Sequence, residues 1–266
     1  MIHPPETAKT PRKPRVPELR TDAEAVVPIV PEPPRALDTT LRTITPPPRR
    51  APGGFFRDAD AFRALAELVP SLFAGKGPDE PVRVWVAGCG TGEEAWSIAI
   101  LLAEHAATLP HPPAVELFAT DTDPVACVRG RTALYLASTV AGVPAARLKR
   151  FFAWEGGGYR VSRALREAVL FARHDVLRDP PFARLDLVSC RGLLAAQPAE
   201  AQARMMETFH QALRPGGVLF LGPGESAGDG FVPAAEAHPL YRRDAERIHL
   251  PDLPGGETAT PEGSRT

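Results

Sequence analysis

The stretch Val84-Trp85-Val86-Ala87-Gly88-Cys89-Gly90-Thr91-Gly92-Glu93-Glu94 runs from an apolar segment straight into a glycine-rich turn and then two carboxylates. A short apolar run of this kind reads as a buried strand, and the turn behind it as the entry to a helix. Glycines let the backbone turn tightly and approach a ligand, while the first N–H groups of the next helix have no partners within it. Nucleotide-like cofactors bind at such turns. A dinucleotide fingerprint needs Gly-x-Gly-x-x-Gly, and its third glycine position is Glu93 here, a bulky acid where helix and strand must pack closely. That speaks against a nicotinamide dinucleotide.

Outward from this turn, apolar runs alternate with amphipathic segments, the pattern of a mostly parallel sheet with helices on both faces, an α/β fold. Strands are expected near Val82–Ala87, Ala114–Thr120, Ala168–Arg173, Leu185–Cys190 and Val218–Gly222. Helices are expected over Ala59–Leu72, Glu93–Ala106, Pro124–Leu134 and Ala199–Leu213. In the last of these Met205, Phe209 and Leu213 recur at helical spacing, and Arg214-Pro215-Gly216-Gly217 stops the helix before the next strand.

Composition bounds the rest. A length of 266 residues with 44% hydrophobic content suffices for one large core. The formal charge of −1 leaves no electrostatic footprint for non-specific nucleic-acid binding. No run of about 18 apolar residues is present to span a membrane, and the N-terminus lacks a secretory pattern, so a cytoplasmic location is expected. Cys89, Cys127 and Cys190 lack the spacing of a disulfide framework or a zinc site and are expected as reduced thiols. Twelve of the 31 prolines fall within residues 1–50, interleaved with basic residues, so residues 1–51 read as a disordered or polyproline-II tail. Residues 251–266 read the same way, leaving 52–250 as the folded domain, expected to be a monomer.

The turn Gly88-x-Gly90-x-Gly92 resembles the first motif of class I S-adenosylmethionine-dependent methyltransferases, whose ligand has no pyrophosphate to cradle. Asp121, at the end of Leu117-Phe118-Ala119-Thr120-Asp121, then stands where an acid accepts from the ribose hydroxyls. Further segments make the resemblance specific. Gly88-Cys89-Gly90-Thr91-Gly92-Glu93-Glu94-Ala95-Trp96-Ser97-Ile98-Ala99 is similar to the Gly-Cys-Ser-Thr-Gly-Glu-Glu-Pro-Tyr-Ser-Ile-Ala motif of the CheR-type chemotaxis receptor methyltransferases. Phe55-Phe56-Arg57-Asp58 matches their Phe-Phe-Arg signature, Ala119-Thr120-Asp121-Thr122-Asp123 their Ala-Thr-Asp-Ile-Asp, and Asp186-Leu187-Val188-Ser189-Cys190-Arg191 their Asp-Leu-Ile-Ser-Cys-Arg-Asn. Phe209–Gly217 and Asp179-Pro180-Pro181-Phe182 resemble the branch found in methylesterase–methyltransferase fusions.

The resemblance implies a Rossmann-like sandwich and transfer of a methyl group from S-adenosylmethionine to glutamate side chains of a chemoreceptor-like protein. Arg57 matches the arginine that lies by the cofactor and the transferred methyl; read alone, it is a solvated arginine before a helix capped by Asp58. Gly88 and Gly90 would line the cofactor, Glu94 would hold the methionyl amino group, and Asp121 the ribose. Asp175-Val176 falls where the family has Asn-Leu beside the adenine, and Arg191-Gly192 follows the fourth strand at the ligand end of the sheet. His174, His210, Cys89, Cys190 and Trp96 are expected as structural residues, since transfer to a carboxylate needs no base. Leu148–Phe152 and Gly156–Val161 fall where the family carries a small β-subdomain that can grip a receptor tail, and here either a grip or a plain hairpin is expected.

The departures fall together. Ala51 and Gly53 replace the Asn-x-Thr residues before Phe-Phe-Arg, Gly192 the asparagine after Cys-Arg, Ala196 a tyrosine near the methyl, and Gly224 the serine of Gly-x-Ser-Glu in Gly222-Pro223-Gly224-Glu225. These favour a second reading, a non-catalytic S-adenosylmethionine-binding or partner-binding module. A methyltransferase for a small molecule or another protein is a third.

Overall fold

The computed structural model describes residues 54–244. The expected tails at 1–51 and 251–266, the domain ends at 52 and 250, and Ala51 and Gly53 lie outside the described residues.

The chain enters through helix α1 (Ala59–Phe73), which leads to strand β1 (Val82–Ala87), helix α2 (Glu93–Ala106), strand β2 (Val115–Asp121) and helix α3 (Pro124–Thr132). An excursion follows: β3 (Leu134–Tyr135), α4 (Ala145–Phe151), β4 (Phe152–Glu155), β5 (Gly158–Val161) and α5 (Arg163–Ala168). The chain then returns through β6 (Val169–Arg173), β7 (Leu185–Cys190), α6 (Ala199–Ala212), β8 (Leu213–Leu221), β9 (Phe231–Pro233) and β10 (Leu240–Arg243).

Seven strands form the main sheet in the order β6-β2-β1-β7-β8-β10-β9. The five expected strands are β6, β2, β1, β7 and β8, all parallel, and the two short strands not expected from sequence add an antiparallel edge. Order reverses between β1 and β7, so their carboxyl ends flank the crevice where ligands meet an open α/β sheet. Residue alternation builds both faces at once. Val84 and Val86 of β1 point into one core with Leu65 and Val69 of α1 and Ile98 and Leu102 of α2. Trp85 and Ala87 point into the other, with Met205 and Phe209 of α6.

Most expected ends fall within a residue of those observed, and the larger differences have local reasons. Helix α3 stops at Thr132 rather than Leu134 because Ala133 takes a left-handed φ of 55° and Leu134 joins a sheet. Helix α6 passes into β8 without a loop, so Arg214-Pro215-Gly216-Gly217 belongs to the strand, where the β7 register shifts between Leu185 and Leu187. The excursion is a three-stranded antiparallel sheet, β3-β5-β4, rather than a plain hairpin.

At the amino end of β7, far along the strand from the crevice, Asp186 is fully buried. It accepts from the Arg83 N–H at 2.8 Å and pairs with Lys76 at 3.2 Å and with Arg214. No helix of the described residues is long and apolar enough to cross a membrane, and those residues contain no cluster of His, Cys, Asp and Glu suited to a metal ion.

Candidate functional site

The turn between β1 and α2 is held from the neighbouring strand. Gly90 takes φ 55°, in the left-handed region, and its N–H donates to Asp121 Oδ2 at 2.8 Å. The other oxygen of Asp121 accepts from Asp123 N–H at 3.1 Å, so two backbone groups orient a largely buried carboxylate at the carboxyl end of β2. Gly92 has a different duty from Gly90. A Cβ there would stand 2.9 Å from Gly130 Cα and 3.0 Å from the Phe171 ring, so its bareness lets α2 pack against α3 and β6. The Thr91 hydroxyl donates to both oxygens of Glu93 at 2.8 and 2.7 Å. Tyr135 of β3 donates its hydroxyl to the Thr91 carbonyl at 2.7 Å, which ties the small sheet to the turn. Burial, with the nearby Glu93 charge, pushes the Tyr135 hydroxyl far above the usual tyrosine range and keeps it a neutral donor.

Glu94, one residue further into α2, reaches across to the end of β7. Ser189 donates its hydroxyl to Oε1 at 2.7 Å, and Arg191 stands 3.5 Å from Oε2. The Arg191 guanidinium is 1% exposed and lies over Phe62 and Phe220, at 5.3 and 4.5 Å from the ring centroids. It donates to the Leu221 carbonyl at 3.3 Å and the Arg57 carbonyl at 3.2 Å, and pairs with Asp58. The Arg191 side chain, expected at the cofactor, thus lies between Glu94 and the Phe55–Asp58 loop.

That loop carries backbone strain. Phe56 and Asp58 adopt φ of 51° and 63°, uncommon for residues with a side chain and costly for a bulky one. The surroundings hold it in place. Phe56 N–H donates to Ser97 Oγ at 2.9 Å, and Phe55 meets Tyr135 and Phe152 edge to face at 5.0 and 5.3 Å. Asp58 sits at the cap position of α1 but, against the expectation that it caps the helix, makes no side-chain cap bond, because its carboxylate goes to Arg191. Arg57, half-buried between them, makes no side-chain hydrogen bond or ion pair among the described residues. Its Nη2 lies 3.9 Å from where a Cβ of Gly192 would stand, so the loops before α1 and after β7 meet at these two residues.

Asp175 and Val176 follow β6 and join the Asp121 side, since His174 N–H donates to the Asp121 carbonyl at 3.1 Å. The Asp175 carboxylate is engaged within its own turn, accepting from Leu177 N–H at 2.9 Å and standing 3.6 Å from Arg178. Val176 is buried in the cluster with Trp85 and Ala87. The His174 ring packs against Trp85 and Phe182 at 5.3 Å from each, and its Nε2 lies 3.0 Å from the Pro180 carbonyl, as befits a structural residue. Cys89, Cys190 and Trp96 are buried. Gly192 and Ala196 are exposed, and a 3₁₀ turn spans Leu194–Ala196.

Sequence reasoning missed Ser189, Tyr135 and Glu225 as site-shaping residues. Glu225 is 8% exposed and accepts from the N–H groups of Gly192, Ala195 and Gly222. Its place in Gly222-Pro223-Gly224-Glu225 was the only signal.

Known proteins are similar to this chain in sequence. Chemotaxis protein methyltransferase 2 of Pseudomonas aeruginosa is 33% identical over 203 residues, 74% of this chain and 68% of that protein. Chemotaxis protein methyltransferase 2 of Vibrio cholerae is 30% identical over 176 residues, covering 65% and 61% of the two chains. An uncharacterized 104.1 kDa protein of Rhodobacter capsulatus is 40% identical over 173 residues, 65% of this chain but 18% of that protein. The chain thus spans about three fifths of the Vibrio relative and under a fifth of the Rhodobacter one. The family described as CheR methyltransferase, SAM binding domain, matches residues 52–231. With the crevice at the β1–β7 switch and that match over well above half its length, this chain belongs to the CheR methyltransferase family, whose matched domain binds S-adenosylmethionine.

Proposed function

We propose that this chain, acting in the cytoplasm through a unit spanning 52–250, methylates glutamate carboxylates of a chemoreceptor-like protein to give methyl esters. The observation that carries the reading is Arg57: a guanidinium without a partner among the described residues, held on a strained loop beside Gly192, just past the carboxyl end of β7.

The residues fit the cofactor. Asp121 is a carboxylate whose direction two backbone N–H groups fix, suited to a ribose diol, and Glu94 is a second, suited to an ammonium group. Gly88 and Gly90 keep the wall of the crevice bare, while Val176 and Asp175 would border an adenine from the Asp121 side. When bound, S-adenosylmethionine supplies an electrophilic methyl on a sulfonium, which leaves as a neutral thioether as the new C–O bond forms. A glutamate acceptor is already ionised near neutral pH, so no residue need remove a proton. Arg57 would orient the incoming carboxylate through paired N–H donors, and Arg191 and Asp58 hold the loop that presents it. Ideal alignment of this kind is worth roughly 7–11 kcal/mol. The outer edge of β4, with Trp154 62% exposed, is where an extended receptor segment would add a strand.

The second reading, a non-catalytic cofactor-binding or partner-binding module, is favoured by the exposed Gly192 and Ala196 on the acceptor side. Purified protein with labelled S-adenosylmethionine and receptor-bearing membranes separates the two. Base-labile methyl ester that disappears in Arg57→Ala is the expected result. Cofactor binding without ester formation on any receptor would overturn methyl transfer in favour of the module.

A further inference from the structure

The loop after β7 is gripped from beneath by a carboxylate to which the methyl-transfer reading gives no part. Gly222-Pro223-Gly224-Glu225 closes a tight turn, with Glu225 N–H donating to the Gly222 carbonyl at 3.1 Å, Pro223 at the second position and Gly224 at φ 77°. The turn brings the Glu225 side chain back under the sheet end, where it is 8% exposed. Its Oε2 accepts from Gly222 N–H at 2.6 Å and Gly192 N–H at 3.1 Å, and its Oε1 from Ala195 N–H at 2.8 Å. Bare backbone at Gly222 is required, because a Cβ there would lie 2.7 Å from Glu225 Oε2 and 3.0 Å from Gly192 N.

An ionised carboxylate is the side chain suited to this place. It is acceptor-only at both oxygens, whereas an amide would turn an NH₂ group toward one of the donors. What it holds is the segment 191–195. From that segment Arg191 reaches the Arg57 carbonyl, Asp58 and Glu94, and Gly192 lies alongside the Arg57 guanidinium. We infer that Glu225 is a positioning residue for the acceptor side of the site: it sets residues 191–195 against Arg57 and leaves the Asp121 side untouched. The inference rests on the methyl-transfer reading for its effect on rate, but not for its effect on the loop.

Hydrogen exchange, S-adenosylhomocysteine binding and methyl transfer, measured together on Glu225→Gln, test it. The expected result is exchange at least tenfold faster at the amides of Gly192, Ala195 and Gly222, unchanged at Gly90 and Asp123, with kcat down about tenfold and S-adenosylhomocysteine affinity within threefold of the parent. Gly222→Ala serves as the second variant, since it crowds the carboxylate without removing its charge, and the same selective pattern is expected from it. Unchanged exchange at the three amides in both variants would overturn the inference. So would uniform loss of protection and cofactor affinity, which would mark a residue of general stability. If the parent chain methylates nothing while the selective exchange pattern is seen, the methyl-transfer reading fails and the hold of Glu225 on the loop stands.

Discussion

The turn after β1 and the loop after β7 face each other across the crevice and are built alike, yet they depend on different parts of the chain. In each, a buried carboxylate from elsewhere accepts backbone N–H groups: Asp121 takes Gly90 and Asp123, Glu225 takes Gly192, Ala195 and Gly222. On the β1 side the motif matched by the family resemblance is nearly whole. On the β7 side the polar side chains matched by the family resemblance are trimmed to Gly192 and Ala196, while the backbone scaffold beneath them remains. A frame made of N–H bonds to carboxylates survives the loss of neighbouring side chains, because it does not use them. Chemistry that depends on those side chains does not.

Five substitutions break or sharpen this contrast, the largest effect first. Asp186→Ala lies at the other end of β7, takes the carboxylate from Arg214 and from the Arg83 N–H, and leaves Lys76 only Glu80 and the Pro81 carbonyl. It should cost about 3–5 kcal/mol of unfolding free energy by chemical denaturation, with cofactor affinity per folded molecule unchanged. Arg57→Ala should lower kcat/KM by about a hundredfold or more, as loss of a charge-orienting donor does, with an unaltered melting temperature because the side chain has no described partner. Asp121→Asn should weaken S-adenosylhomocysteine binding by roughly ten- to a hundredfold in calorimetry, and should spare the amides held by Glu225.

Tyr135→Phe removes the bond to the Thr91 carbonyl and should cost about 1 kcal/mol, or about 2–4 °C in melting temperature for a domain of this size. The sign with pH follows from the raised hydroxyl: its contribution is full below the ordinary tyrosine range near 10 and is lost as pH climbs above it. The variant should therefore show a flatter alkaline loss of stability. Gly192→Asn is the mildest and the only gain. The position has φ 75°, which asparagine tolerates, and a Cβ there meets Arg57 Nη2 at an ordinary 3.9 Å. A severalfold rise in kcat, read by the same ester assay, is expected.

What was readable in the sequence was what is contiguous. Five parallel strands announced themselves as apolar runs, and Met205 and Phe209 marked the buried face of α6. The glycine turn after β1 was legible because strand, glycines and acids follow one another without a gap. The small strands β3, β9 and β10 are two to four residues long, too short for alternation to register. Asp58 was misread because a residue before a helix is weighed against that helix, whereas its partner Arg191 lies 133 residues away. Glu225 and Ser189 stayed hidden for the same reason: only the fold brings near what each holds, the loop after β7 for Glu225 and Glu94 of α2 for Ser189.

That distance has a consequence in time. Arg57 is presented by a strained loop whose clasp, the Arg191 side chain on the Arg57 carbonyl, is 134 residues downstream. At about 5–20 residues per second, the ribosome delivers that clasp roughly 7–27 s after the loop itself. Through this interval the growing chain can already carry Phe-Phe-Arg-Asp and the Ser97 that holds Phe56, yet lacks the side chain that fastens the Arg57–Asp58 end of the loop. A methyl-transfer site on this frame is completed from its far end, and a chain cut short before β7 would never acquire one.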